Sequence, residues 1–295
     1  MASHTLATIA TRFLQRPGLA SGTLRAYEST LMPLLAAYGS WPIDLLERSE
    51  VVEYLQSLTH LAYTTRRKHQ ATMQALFNFA VEQGYLKANP IVRLKQPKPD
   101  PQKGEHGSDD TIRYLTEPQI KCLYRAVELD PRMTAIVSLL HRSGARISEV
   151  LQLNLDDVDF KEQRFQVLGK GINKRWCFFS QDTAAALSEY IRDGRHPRST
   201  ALFTAQQPIS LETSRISYRR IHQCWESLIA PYLELKGARL HDLRHTFATE
   251  RVGLMGIEEL RALMGHENIQ TTLRYQKVTS RRAESVAKQA LETLS

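Results

Sequence analysis

The stretch over 96–110, Gln-Pro-Lys-Pro-Asp-Pro-Gln-Lys-Gly-Glu-His-Gly-Ser-Asp-Asp, constrains the fold more than any other. It holds three prolines and two glycines and no apolar residue. Proline removes backbone donors, glycine favours no single conformation, and nothing in the stretch gains by burial. It therefore predicts a linker over 96–111, joining a unit over 1–95 to a unit over 112–295. Such a linker suits either a plain tether or a strap around a ligand held by two lobes. The length agrees, because 295 residues exceed one comfortable core.

The first unit reads as short amphipathic helices. Leu6, Ile9, Ala10 and Phe13 recur at helical spacing after Ser3, a candidate cap. Thr23 is the candidate cap of a second helix burying Leu24, Tyr27, Leu31, Leu34 and Leu35, ended by Gly39. Ser49 would cap a third, with Val52, Leu55 and Leu58 inward. A fourth runs from about Thr64, buries Met73, Leu76, Phe77, Ala80 and Val81, and stops at Gly84. Four such stripes make a small bundle. The fourth helix opens on Arg66, Arg67 and Lys68. Cations at a helix N-terminus oppose the macrodipole, so an exposed cluster there fits contact with DNA phosphates as well as a solvated turn.

The second unit begins near Ile112. Thr116-Glu117-Pro118 starts one helix, with Ile120, Leu123, Tyr124 and Val127 on its stripe, and a second runs from Pro131 to Arg142 and ends at Ser143-Gly144. A short helix over 145–153 follows, with Arg146 at its entrance. Val158–Phe160, Arg164–Leu168 and Arg175–Phe179 alternate as strands of a small antiparallel sheet, and Gly169-Lys170-Gly171 lies in the hairpin between the last two. Helices are predicted over 183–192, 214–228, 241–252 and 257–264, with a segment through Tyr275 and an amphipathic tail, Ser280–Leu294. The fold class is thus mainly α with a small antiparallel β-sheet.

The net charge is +8, and residues 1–100 carry half of it, with 11 Lys and Arg against 7 Asp and Glu. Two basic units suit a polyanion such as DNA, although a basic solvated surface has the same composition. No apolar run approaches the ~20 residues that span a bilayer, and no basic segment followed by an apolar block opens the chain. Cys122, Cys177 and Cys224 are scattered and odd in number. They favour a reducing, cytoplasmic setting and fit neither a disulfide framework nor a zinc site.

The chemistry concentrates in Leu240-His241-Asp242-Leu243-Arg244-His245-Thr246-Phe247-Ala248-Thr249, with Met264-Gly265-His266 and Tyr275 downstream. His241, Arg244 and His245 fall at i, i+3 and i+4, so they share a helix face. Cationic donors on one face suit an anion with several oxygens. Beside a phenol, they point to phosphoryl transfer with tyrosine as nucleophile.

Taken in order, these motifs resemble the tyrosine recombinase (phage integrase-like) family. Leu139–Val150, which includes Gly144-Ala145-Arg146 and Glu149, resembles the family's first arginine box. Gly169-Lys170-Gly171 resembles its β-hairpin lysine, Leu240–Thr249 its His-x-x-Arg box, and Leu263–His266 through Tyr275 its final His…Tyr box. The resemblance covers 112–280. It extends more loosely, by helix count and placement, to the first unit as a core-binding domain. Two departures stand outside the chemistry: Phe178-Phe179 replaces an apolar-Pro-Leu sequence, and Ala145 a bulkier residue.

The resemblance implies a site-specific DNA recombinase working through a 3′-phosphotyrosyl link, with no metal or nucleotide cofactor. Tyr275 would attack. Arg146 and Arg244 would hold the non-bridging oxygens, for which a planar fork suits better than lysine. His241 would bond the phosphate and assist proton movement at the phenol, and His266 would donate to a non-bridging oxygen. Lys170 would be the acid for the leaving 5′ oxygen, while Glu149 and His245 would support the site. It also implies double-stranded DNA with inverted-repeat half-sites, a homotetramer on that DNA with exchange of the C-terminal helix, and room for accessory proteins. A type IB topoisomerase-like relaxing enzyme and a DNA-binding regulator with a vestigial site are the rival readings.

Overall fold

The computed structural model describes residues 4–100, 102, 112–168, 174–206, 210–279 and 291. Ser3, most of the predicted linker, Lys170 and the tail over 280–294 (Leu291 apart) lie outside them. The chain divides into two compact units, Met1–Asp110 and Thr111–Ser295.

The first unit contains helices α1 (Leu6–Leu14), α2 (Ser21–Tyr38), α3 (Arg48–Ser57) and α4 (Tyr63–Glu82). Thr5, not Ser3, caps α1 by accepting the Thr8 N–H at 3.3 Å. Leu6, Ile9, Ala10 and Phe13 are all fully buried, as their spacing requires. Helix α2 starts two residues before Thr23, with Ala20 at the cap position. Helix α3 starts at Arg48 after Glu47, and turns Val51 and Tyr54 inward rather than Val52. Both sets satisfy the same 3–4 spacing, and packing against α4 selects between them. Met73, Leu76, Phe77 and Ala80 of α4 complete this core, and Gly84 follows with φ +76. Gln70 of α4 donates to the Leu94 and Lys95 carbonyls at 3.1 and 3.3 Å, tying down the chain where the predicted linker starts.

In the second unit, α5 (Glu117–Val127) opens with a Thr116–Gln119 capping box. Asp130 caps α6 (Pro131–Ser143). The short α7 (Ile147–Gln152) leads to β1 (Val158–Asp159), β2 (Arg164–Leu168) and β3 (Lys174–Phe178). These form an antiparallel sheet in the order β1-β2-β3, with Phe165 opposite Cys177 and Val167 opposite Arg175. Helix α8 (Gln181–Glu189) runs into a π turn over Tyr190–Gly194.

The helix predicted from Ser214 is corrected. Residues Thr213–Arg215 form β5, paired with β4 (Thr204–Gln206), and α9 (Tyr218–Ile229) begins only after its Ser217 cap. Arg215 donates to the Leu151 and Leu153 carbonyls and to Asn154 Oδ1, anchoring extended backbone where the sequence allowed a helix. Helices α10 (Leu240–Arg251), α11 (Ile257–Met264) and α12 (Ile269–Leu273) follow, then a 3₁₀ turn over Arg274–Thr279. The main core lies among α5–α10 and the three-stranded sheet, and a smaller cluster buries Tyr275 against Phe247, Ala248, Leu260 and Met264.

Candidate active site

Helix α6 ends at Gly144, whose left-handed backbone (φ +65) turns the chain through buried Ala145. Arg146 therefore sits at the entrance of α7, where the sequence placed it. Glu149, three residues on, accepts the Arg146 backbone N–H at 2.7 Å and its guanidinium at 3.0 Å. A second Arg146 nitrogen donates to the Gly265 carbonyl at 3.2 Å, which couples this turn to the end of α11.

Arg244 rises from α10 into the same region and is only 3% exposed. It donates to the Gly144 carbonyl and, at 2.6 Å, to the Met264 carbonyl. Among the described residues no carboxylate forms an ion pair with it. Burial, and next the Arg146 charge, push its pKa down to about 10, so it is still cationic at neutral pH. Asp242, fully buried, braces the start of α10 by accepting the Arg239 backbone and side chain.

Around these cations stand three imidazoles and one phenol. Tyr275 is 2% exposed, and burial raises its pKa above 10.0 against the opposing charges of Arg244, Arg274 and Arg146. His245 Nδ1 lies 2.8 Å from the Tyr275 hydroxyl. The His241 ring meets the His245 ring edge-on at 4.7 Å. His266 lies parallel to the Tyr275 ring at 6.4 Å, and its Nδ1 is 2.9 Å from buried Thr272 Oγ1. All three histidines are held neutral, by burial first. His241 is lowered next by Arg244, His245 falls to about 4 with help from His241, and His266 falls to about 3 beside Arg244 and Arg146.

The sequence-derived set is thus brought together at Arg146, Glu149, His241, Arg244, His245, His266 and Tyr275. Lys170 lies outside the described residues. The ends of its hairpin, Leu168 and Lys174, line a cavity of about 870 Å³ together with Arg146, Glu149 and His266. Arg66, Arg67 and Lys68 belong to the first unit. Lys68 is exposed while Arg66 and Arg67 are half-buried, and Arg67 donates to the Tyr63 hydroxyl at 3.0 Å.

Two residues at the site escaped the sequence reading. Arg175 of β3 forks onto Glu149 and donates to the Leu263 carbonyl at 3.0 Å. Thr272 holds His266. The one available signal was for Arg175: a charge on the inward half of a strand demands a buried partner.

Among the described residues, no group of His, Cys, Asp and Glu is placed to hold a metal ion, and no helix is long and apolar enough to cross a membrane. The three cysteines are free thiols.

The sequence model of the phage integrase family matches residues 113–282. A tyrosine recombinase XerC from Lactobacillus delbrueckii subsp. bulgaricus is 27% identical over 80% of this chain and 80% of its own length. A tyrosine recombinase XerD from Bifidobacterium longum is 27% identical over 89% of this chain and 88% of its own. Among solved structures, the Tn1549 transposon integrase in complex with a circular intermediate DNA superposes with a TM-score of 0.74. It shares 20% identity over 92% of this chain and 95% of that one. The XerH site-specific recombinase bound to a palindromic substrate superposes with a TM-score of 0.72 at 17% identity, over 96% and 84% of the two chains. At these identities the superpositions speak for the fold.

Proposed function

The chain belongs to the phage integrase family of tyrosine recombinases, and from that premise we infer that its chemistry is carried by Tyr275 at the centre described above. It is a site-specific DNA recombinase, an enzyme that breaks and rejoins DNA strands. The observation that carries the assignment of residues is Arg244. A guanidinium only 3% exposed, with two carbonyls and, among the described residues, no carboxylate partner, is costly unless an anion arrives. Arg146 and Arg175 share the single carboxylate of Glu149, so the centre keeps an excess of positive charge. A phosphodiester beside Tyr275 satisfies that excess.

In this reading Tyr275 Oη attacks the scissile phosphorus and the P–O5′ bond breaks, leaving a 3′-phosphotyrosyl link and a free 5′ hydroxyl. Arg146 and Arg244 hold the non-bridging oxygens, where charge accumulates in the crowded transition state. His266, neutral and fixed by Thr272, donates to one of those oxygens, and His241 bonds the phosphate from α10. Lys170, by the family resemblance, protonates the leaving oxygen. The link conserves the energy of the broken bond, so a 5′ hydroxyl from a second strand reverses the attack.

The partner is DNA. Inverted-repeat half-sites, a homotetramer and exchange of the segment over 280–294 between protomers complete the proposal. Arg66, Arg67 and Lys68 are its candidate phosphate contacts in the first unit, read as a core-binding domain over 1–95. The relaxing-enzyme and binding-only readings are not favoured, since the relatives are recombinases.

The test starts by selecting bound duplexes from a random pool. A nicked duplex built on the selected site should then trap a covalent protein–DNA adduct with the wild type and none with Tyr275→Phe. Equal absence of adduct in both rejects the assignment.

A further inference from the structure

The family resemblance assigns proton movement at the Tyr275 phenol to His241, but a different imidazole lies against that hydroxyl. His245 Nδ1 lies 2.8 Å from the hydroxyl and, among the described residues, is that oxygen's hydrogen-bond partner. His241 sits one turn earlier on α10, against the His245 ring, and no hydrogen bond is described between it and the phenol. We propose that His245 accepts the Tyr275 proton during strand cleavage and returns it to the phenolate during rejoining. The proposal rests on the reading of Tyr275 as nucleophile.

The step balances. The Oη–H bond breaks as Nδ1 takes the proton, Oη bonds to phosphorus, and P–O5′ breaks with its electron pair. The 5′ oxygen takes its proton from a separate acid. In-line displacement puts the attacking and leaving oxygens on opposite sides of phosphorus, so a base hydrogen-bonded to Oη does not serve O5′. On rejoining, a 5′ hydroxyl attacks and P–Oη breaks. His245 then gives its proton back to the departing phenolate.

The surroundings explain why the resting site is quiet. Arg239, His241, Asp242 and Arg244 face His245 from the start of α10, Tyr275 from the 3₁₀ turn and His266 from the α11–α12 turn. Burial and the net positive field keep its Nδ1 lone pair free, and burial keeps the phenol protonated. A phosphodiester docked against Arg146 and Arg244 offsets that field, so proton acceptance improves only when DNA is present.

The experiment compares two nicked duplexes of the selected site that differ in one atom, oxygen or sulfur at the bridging 5′ position of the scissile phosphate. A sulfur leaving group needs no acid, so it relieves a defect in the acid and leaves a defect in the base. His245→Asn keeps an amide near Nδ1 but takes up no proton. We expect adduct formation to fall about 100-fold or more on both duplexes, with rejoining from a 5′ hydroxyl slowed alike. DNA affinity within about threefold of wild type, a factor worth under 1 kcal/mol, marks a folded variant. His245→Gln stands in if His245→Asn loses that affinity. Recovery of the wild-type rate on the sulfur duplex would place His245 at the leaving oxygen and overturn the proposal. Unchanged or faster cleavage would make it a mere anchor for the buried phenol and overturn it too. A wild type that forms no adduct, or a Tyr275→Phe protein that does, rejects the nucleophile reading itself, and this proposal with it.

Discussion

The guanidinium of Arg175 forks onto the carboxylate of Glu149, at 2.8 and 2.7 Å, while Arg146 holds one of the same oxygens at 3.0 Å. Arg175 and Glu149 are 13% and 8% exposed, so this is an interior ion pair carrying one of the inferred phosphate ligands. Burial acts to raise the Glu149 pKa, but the Arg175 and Arg146 contacts outweigh it and hold the carboxyl below its usual 4.5. Removing Arg175 leaves a buried carboxylate with half its partners. Arg175→Met is expected to cost about 3 kcal/mol, the low end for breaking a buried pair, because Arg146 remains. The folded state binds this proton more weakly than the unfolded state. The contribution is therefore complete above pH 4.5 and is lost as pH falls through the folded pKa. Urea unfolding of wild type and variant should show a gap that narrows below that pH, and a gap independent of pH would count against the pairing.

Thr272 acts through His266. Its hydroxyl lies 2.9 Å from His266 Nδ1 in a fully buried position, which leaves Nε2 for the phosphate. Thr272→Val keeps the shape and deletes the hydroxyl. Losing one such bond is worth about 1 kcal/mol or somewhat more, so cleavage of bound DNA should slow about tenfold. DNA affinity should barely move, and Thr272→Ser should restore most of the rate. A Val variant that cleaves at the wild-type rate would show that the ring is fixed by packing alone.

Much of this centre is legible in the sequence, for a definite reason. Helical spacing puts His241, Arg244 and His245 on one face whatever surrounds them, and the structure has them on α10 near Tyr275. Arg146 is legible because Ser143-Gly144 ends one helix and Glu149 caps the next. The partner of His245 is not legible, because it depends on where a turn 30 residues later packs. Arg175 likewise depends on the β2–β3 register. Strands β4 and β5 escape because Thr-Ala-Gln and Thr-Ser-Arg carry no apolar alternation. The α3 stripe is read one residue off because Val51 and Val52 head equally good helical faces.

Gly144 joins packing to the site. Its φ of +65 closes α6, a Cβ there would run into the Phe247 ring, and its carbonyl accepts from Arg244. Gly144→Ala is expected to cost about 1–3 kcal/mol for the left-handed backbone alone, with the clash in addition. Gly84→Ala is the control. Its φ is +76, but a Cβ there meets nothing within 4 Å, so only the backbone cost applies. Thermal unfolding should rank Gly144→Ala well below Gly84→Ala. Adduct formation should fall only in the former, since relieving the clash would shift the carbonyl to which Arg244 donates.

The three site histidines set a pH response with a definite sign. His241, His245 and His266 all titrate below their ordinary 6.5 in the folded chain, to about 4 for His245 and about 3 for His266. Below pH 6.5 the unfolded chain takes protons that the folded site refuses. Stability is therefore full above 6.5 and falls as pH drops toward 4. His69 in the first unit is lowered as well and adds to the slope, so wild type should be compared with His266→Asn, whose slope should be shallower. DNA reverses the balance at the site. A phosphodiester against Arg146 and Arg244 offsets the charge that suppresses these imidazoles, so their pKa values rise in the complex. Binding should then take up protons near pH 6, and affinity should tighten from pH 7.5 to 6 at fixed salt. Calorimetry in two buffers of different ionisation enthalpy measures the uptake directly. Release of protons on binding would contradict the placement of the scissile phosphate among these rings.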